Sequence, residues 1–249
     1  MPVPGRMLLA ASLLAATAAT ATCAWADETD PPSDFTLSGY VQGVTDYRFR
    51  GISLSGGDFA AQATVSVNHA SGFYAGAWAS SLKDTPLYGR AEVDLYAGWT
   101  GEVASGLTAD AGLVYYAYPD GGAGPADLFE PYASLTATLG PGTAKLGVAY
   151  AWKQDALGGD DNLYLYTDLG ASLPGMPVSL SAHLGYSDGA LSPKVLTGSG
   201  TSGGFDWSAG ATYSITAALS VGASYVGVEG ASVDGLSNDA LVGTLKLSF

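Results

Sequence analysis

The chain has 249 residues, with 9 lysines and arginines against 23 acidic residues and a formal charge of −14. That balance argues against nucleic acid as a partner and against a polybasic mode of membrane-surface binding. Charged residues are sparse at 13%, glycine and tyrosine are abundant, and no apolar run of helix-spanning length follows the N-terminal one, which points to an all-β protein of the cell envelope.

The first 26 residues read as a Sec-type signal peptide. Arg6 precedes a small-residue apolar run from Met7 to Ala21, and Ala24-Trp25-Ala26 supplies a cleavage site before Asp27. A membrane anchor is the weaker reading, because the run is short and rich in alanine and threonine. Lipoprotein processing at Cys23 would need a large aliphatic residue that Thr20-Ala21-Thr22 lacks. Cleavage removes Arg6 and Cys23, the single cysteine, so the mature chain has neither disulfide nor thiolate chemistry. Residues 27–34 then form a short periplasmic lead.

From Phe35 onward, apolar and polar residues alternate with period two in twelve segments. The predicted strands are 35–47, 59–69, 73–82, 90–100, 107–118, 129–139, 143–153, 163–173, 178–187, 205–214, 219–228 and 240–249. Each is close to the length a tilted strand needs to cross hydrocarbon. The connections alternate long and short, every odd-numbered one exceeding every even-numbered one. Short ones such as Ala70-Ser71-Gly72, Gly140-Pro141-Gly142 and Pro174-Gly175-Met176-Pro177 carry turn residues. External loops and tight periplasmic turns produce this rhythm, and an even strand count places both termini in the periplasm. Pro131 falls at a strand start, where its missing donor is tolerable. Residues 35–249 are therefore expected to form an antiparallel up-and-down transmembrane β-barrel. The alternating Leu241–Phe249 segment, ending on an aromatic, reads as its closing strand and as the signal to the barrel-assembly machinery.

The outward face is expected on odd numbers in ten strands and on even numbers in the seventh and ninth. Tyr47, Phe59, Tyr115, Phe129, Trp152, Tyr186, Phe205, Trp207 and Tyr225 fall near one rim. Phe35, Phe73, Trp99, Tyr213 and Phe249 fall near the other, with mainly aliphatic residues between. Two aromatic girdles around an aliphatic band match a surface facing outer-membrane lipid, with lipopolysaccharide at the external rim. Loop acids such as Asp160-Asp161 supply solubility or weak cation bridging there.

Several segments resemble one family. Asp46-Tyr47-Arg48-Phe49-Arg50-Gly51-Ile52-Ser53 is the most specific, joined by Gly72–Gly76, Glu92–Gly98, Tyr115–Pro119 and Glu130. They resemble the TorF-like family of proteobacterial outer-membrane porins across essentially the whole mature chain. The resemblance implies an outer-membrane channel and supplies no substrate.

The opposite face should line a lumen. Its candidate pore-lining residues are Asp46, Arg48, Arg50, Arg90, Glu92, Asp94, Tyr96, Asp110, Tyr116, Glu130, Tyr132, Tyr166 and Asp168. Tyr40, Gln42, Gln62, Tyr164, His183, Lys145, Lys153 and Lys246 share that face. Glycines such as Gly98, Gly112 and Gly147 should leave room while tyrosines narrow the path. Arg48 and Arg50 are expected to continue the inward alternation at the external mouth. Opposed acidic and basic linings either orient solutes by their field or pair to rigidify the barrel. The expected function is a narrow channel for ions or small polar solutes, with no cofactor, and a non-conducting structural or adhesive barrel is the alternative. An enzyme is disfavoured: His69 lies at a turn, His183 faces the lumen, and no convincing Ser-His-Asp cluster or histidine pair is present.

Overall fold

A computed structural model describes residues 34–249. The expected signal peptide, Cys23 and most of the expected 27–34 lead lie outside the described residues. Twelve strands form the barrel: β1 (Phe35–Val44), β2 (Ala60–His69), β3 (Phe73–Thr85), β4 (Gly89–Ala104), β5 (Leu107–Ala117), β6 (Leu128–Leu139), β7 (Gly142–Ala151), β8 (Asn162–Ser172), β9 (Val178–Gly189), β10 (Phe205–Ser214), β11 (Leu219–Val228) and β12 (Ala240–Ser248). Each pairs antiparallel with its sequence neighbour, and β1 pairs with β12 to close the sheet. Closure removes every unpaired edge, as a sheet in lipid requires.

Both chain ends of the barrel lie on the side of the short turns, since β1 starts and β12 finishes there. The opposite end carries the long connections 45–59, 118–127, 152–161, 190–204 and 229–239. One connection departs from the expected rhythm. The β3–β4 hairpin extends to Thr85 and Gly89, beyond a register shift after Ser81, so its loop shrinks to residues 86–88. Gly89, at φ +69°, makes that tight reversal possible.

The facing assignment holds in every strand. Leu95, Leu135, Leu146, Leu165, Leu169 and Leu184 stand exposed on the outer face, with β7 and β9 presenting even numbers as expected. Phe35, Phe73, Tyr213 and Phe249 mark the turn end, and Phe59, Phe129, Trp152, Tyr186, Phe205 and Tyr225 the loop end. At the loop rim, outward tyrosines donate to loop carboxylates: Tyr115 to Asp127 at 2.8 Å, Tyr150 to Asp161 at 2.8 Å and Tyr225 to Asp239 at 2.5 Å. A phenol with an apolar body and a wet tip suits that boundary. Tyr47 is the exception: it is buried against Trp78, because β1 ends at Val44 and the chain then turns inward.

The seam is sealed by Gly39 and Phe249, which exchange both backbone hydrogen bonds. A Cβ at Gly39 would stand 2.5 Å from Thr64 O and 2.7 Å from the Phe249 ring. Gly39→Val is therefore expected to cost about 1–3 kcal/mol through overpacking. Phe249→Ala leaves that glycine uncovered and should likewise lower the yield of folded barrel. Heat-modifiable mobility on SDS gels reads both, and unchanged mobility with unchanged abundance would refute the seam argument.

Candidate functional site: the lumen and its folded-in loop

Inward-pointing side chains divide into three groups, from the turn end to the loop end. Near the turns the lumen is lined by small polar residues together with Tyr40, Asp110, Lys145 and Lys246, all partly exposed. Lys246 Nζ lies 4.1 Å from the Tyr40 ring centroid.

The middle is a wall of tyrosines laid flat on glycines of neighbouring strands. Gly98 receives Tyr74, Gly76 receives Tyr96, Gly112 receives Tyr132 and Gly147 receives Tyr166; a Cβ at any of these glycines would lie 2.1–2.5 Å from the ring or its oxygen. Gly98, Gly112 and Gly147 therefore seat aromatic rings and do not widen the path. Hydroxyls fix the rings: Tyr74 donates to Asp110 at 2.6 Å and bonds Tyr132, while Tyr96 bonds Thr64 at 3.0 Å and Ser66 at 2.5 Å.

On the other side of this wall His183 sits between two carboxylates. Its Nδ1 is 2.5 Å from Asp168 Oδ1 and its Nε2 3.0 Å from Asp206 Oδ1, with the Tyr164 hydroxyl 2.8 Å from Nε2. An imidazole facing a carboxylate at both nitrogens carries both protons, so it is a buried cation and offers no lone pair to a general base.

At the loop end, residues 45–59 fold into the barrel. Arg48–Phe49 pairs with Ile52–Ser53 in a minimal hairpin. Arg50 takes φ +48° and Gly51 φ +78°, and a Cβ on Gly51 would lie 2.2 Å from Val228. Asp46 Oδ1 accepts from Ser53 Oγ at 2.6 Å and Ser55 Oγ at 3.0 Å, while its Oδ2 accepts from Arg48 Nε at 2.6 Å. Arg48 Nη1 reaches Asn238 O at 2.7 Å, tying this loop to 229–239. A further tie links the outer loops: Lys194 donates to Glu229 at 2.6 Å and holds that carboxyl below its ordinary range. Arg48 and Arg50 thus depart from the expected continuation of strand alternation, because the chain has left the sheet before reaching them.

Arg50 crosses the lumen. Its Nη2 donates to Glu130 Oε2 at 2.6 Å, and both side chains are 3% exposed. Tyr116 donates to the same oxygen at 3.1 Å. Glu92 and Asp94, alternating on β4, point into the same end and are fully buried; Tyr118 donates to Glu92 Oε1 at 3.3 Å. Among the described residues Asp94 Oδ1 and Glu130 Oε1 have no hydrogen-bond partner. The opposite charges at Asp46/Arg48 and Arg50/Glu130 are paired. Arg90, by contrast, is exposed at the loop-end start of β4, apart from this cluster. Among the lumen groups, Tyr74 and Asp206 were missing from the sequence-derived lining. Their even numbers on β3 and β10 carried the signal.

An exposed aliphatic band, aromatic rims and a polar, charged interior define a transmembrane β-barrel with its lumen narrowed by an inserted loop. By sequence the chain belongs to the Gcw_chp family, bacterial proteins of unknown function, whose model matches residues 28–246. A search of curated proteins finds no match. Among solved structures it is similar to the KdgM porin, at 11% identity and TM-score 0.57, covering 86% of this chain and 98% of that one. The KdgM porin in complex with disordered oligogalacturonate gives TM-score 0.57 at 9% identity, covering 86% of this chain and 98% of that one. An outer membrane channel from Pseudomonas putida F1 matches with TM-score 0.47 at 11% identity, covering 89% of this chain and 99% of that one.

Proposed function

We propose that the protein is an outer-membrane channel of the porin type, passing ions or small polar solutes. The supporting observation is the closed twelve-strand barrel with an apolar exterior and a polar interior, the arrangement of outer-membrane barrels that pass solutes through their lumen. The TorF-like resemblance belongs to this reading, as do export by residues 1–26, contact with lipopolysaccharide at the loop rim, and assembly through the Leu241–Phe249 strand. No catalytic role is proposed, since His183 is held at both nitrogens.

Glu92 and Asp94 lack a lysine or arginine partner among the described residues, so the lumen should favour cations modestly. The KdgM structure was determined with an oligogalacturonate, a polyanion; an interior with these carboxylates disfavours solutes of that charge here.

Planar-bilayer recording of the mature chain tests this. Single-channel steps are expected, with a reversal potential in a KCl gradient that shows cation preference, weakening as salt screens it. Glu92→Gln with Asp94→Asn should move that potential toward anions. The inserted 45–59 loop, with Arg50 bridged to Glu130, favours a second reading, a non-conducting structural or adhesive barrel. Absence of steps from protein shown folded by heat-modifiable mobility would select it.

A further inference from the structure

The seat that holds Arg50 is built for a positive charge. Glu130 Oε2 lies 2.6 Å from Nη2, and Tyr116 braces the same oxygen at 3.1 Å. The guanidinium carbon stands 4.0 Å from the Tyr164 ring centroid and 4.8 Å from that of Phe49. A carboxylate flanked by aromatic faces is the chemistry that recognises guanidinium and ammonium groups. Asp94, the cross-strand neighbour of Tyr116 on β4, adds negative charge, its Oδ1 without a hydrogen-bond partner among the described residues.

Yet Arg50 fits this seat poorly. Among the described residues its Nε and Nη1 have no hydrogen-bond partner although both are buried, and Glu130 Oε1 is equally unmatched. Unmatched buried donors and acceptors carry a desolvation penalty. The backbone explains the mismatch. Arg50 is delivered from a left-handed residue (φ +48°) beside Gly51, which is itself pressed on Val228, so the loop and not the seat sets its orientation. A free cation carries no such tether and can turn to meet the unmatched oxygens.

We propose that the Glu130–Tyr116–Tyr164 cage is a recognition site for small organic cations, guanidinium or primary ammonium compounds, with Arg50 as its tethered occupant. A solute that takes the cage releases Arg50, and with it the 45–59 loop, from the lumen. The placing of this site on a solute path rests on the channel reading above; cation binding itself does not.

Methylguanidinium chloride is the probe, with NaCl at equal ionic strength as control, on the detergent-folded mature chain. In the wild type, saturating methylguanidinium is expected to open the loop to trypsin after Arg48 or Arg50, and NaCl is not. By calorimetry, Arg50→Gln should bind methylguanidinium about tenfold more tightly than wild type, since the competitor is gone, and adding Glu130→Gln should abolish the gain. Arg50→Met, which keeps the packed stem, serves if R50Q does not fold. In bilayers R50Q should conduct more than wild type and be blocked by methylguanidinium in proportion to dose. The proposal is overturned if methylguanidinium leaves the wild-type loop as protected as NaCl does, or if binding to R50Q is indifferent to E130Q. Silence of every variant in bilayers, with calorimetric binding retained, would instead overturn the channel reading and leave the site standing.

Discussion

His183→Ala is expected to destabilise the folded barrel by about 3–5 kcal/mol at neutral pH, the scale on which removing one partner strands a buried charge. Two carboxylates depend on this ring, Asp168 at 2.5 Å and Asp206 at 3.0 Å, and the side chains of His183 and Asp206 are only 6% and 3% exposed. Loss of the imidazolium leaves Asp206 with the Tyr164 hydroxyl at 3.1 Å and no counter-charge, and Asp168 without its partner, in a gap beside the Tyr164 and Tyr166 rings. The urea midpoint of the detergent-folded protein should fall accordingly. Replacing the charge set together, as His183→Leu with Asp168→Asn and Asp206→Asn, should recover most of the loss, because no unpaired charge then remains. A fall below about 1 kcal/mol for H183A would mean that the cluster is hydrated and that His183 is not the cation that neutralises it.

Strand positions were legible because the exterior of the barrel enforces them: each outward residue meets hydrocarbon, so an error of one residue in register would expose polar groups along a whole strand. Period two therefore survives even where β7 and β9 change parity. The interior is under no such uniform constraint, and two readings of it failed for different reasons. Arg48 and Arg50 keep the spacing of an inward face, but Arg50 adopts a left-handed conformation and the strand has already ended at Val44. A non-glycine residue at positive φ leaves little mark in the sequence. Gly98, Gly112 and Gly147 look like room when each strand is read alone. Only the cross-strand register, Tyr74 against Gly98, Tyr132 against Gly112, and Tyr166 against Gly147, shows that each is a ring's seat. Likewise the partner of Glu130 lies 80 positions away in sequence, on a loop with no periodicity to place it.

The facing assignment makes the second large prediction, and the tyrosine seats decide how it must be tested. Leu95→Arg places a charge on the lipid face of β4, where Leu95 is 52% exposed between Ala77 of β3 and Tyr115 of β5. Arginine facing hydrocarbon near the midplane costs about 2–4 kcal/mol. The matching lumen control cannot be Gly98 or Tyr166. Arginine at Gly98 would start with its Cβ 2.5 Å from the Tyr74 hydroxyl, and replacing Tyr166 would uncover Gly147. Ser181 suits the purpose: it points inward from β9, is partly exposed, and pairs with Gly170 on one side and Gly210 on the other, neither of which carries a side chain. Ser181→Arg should fold with a urea midpoint close to wild type, whereas Leu95→Arg should lower it by several times the experimental error or prevent assembly. On the channel reading, S181R in bilayers should also shift the reversal potential toward anions, by adding a cation to the lumen face. Equal destabilisation by the two substitutions would show that β4 and β9 do not face the way their exposed leucines indicate.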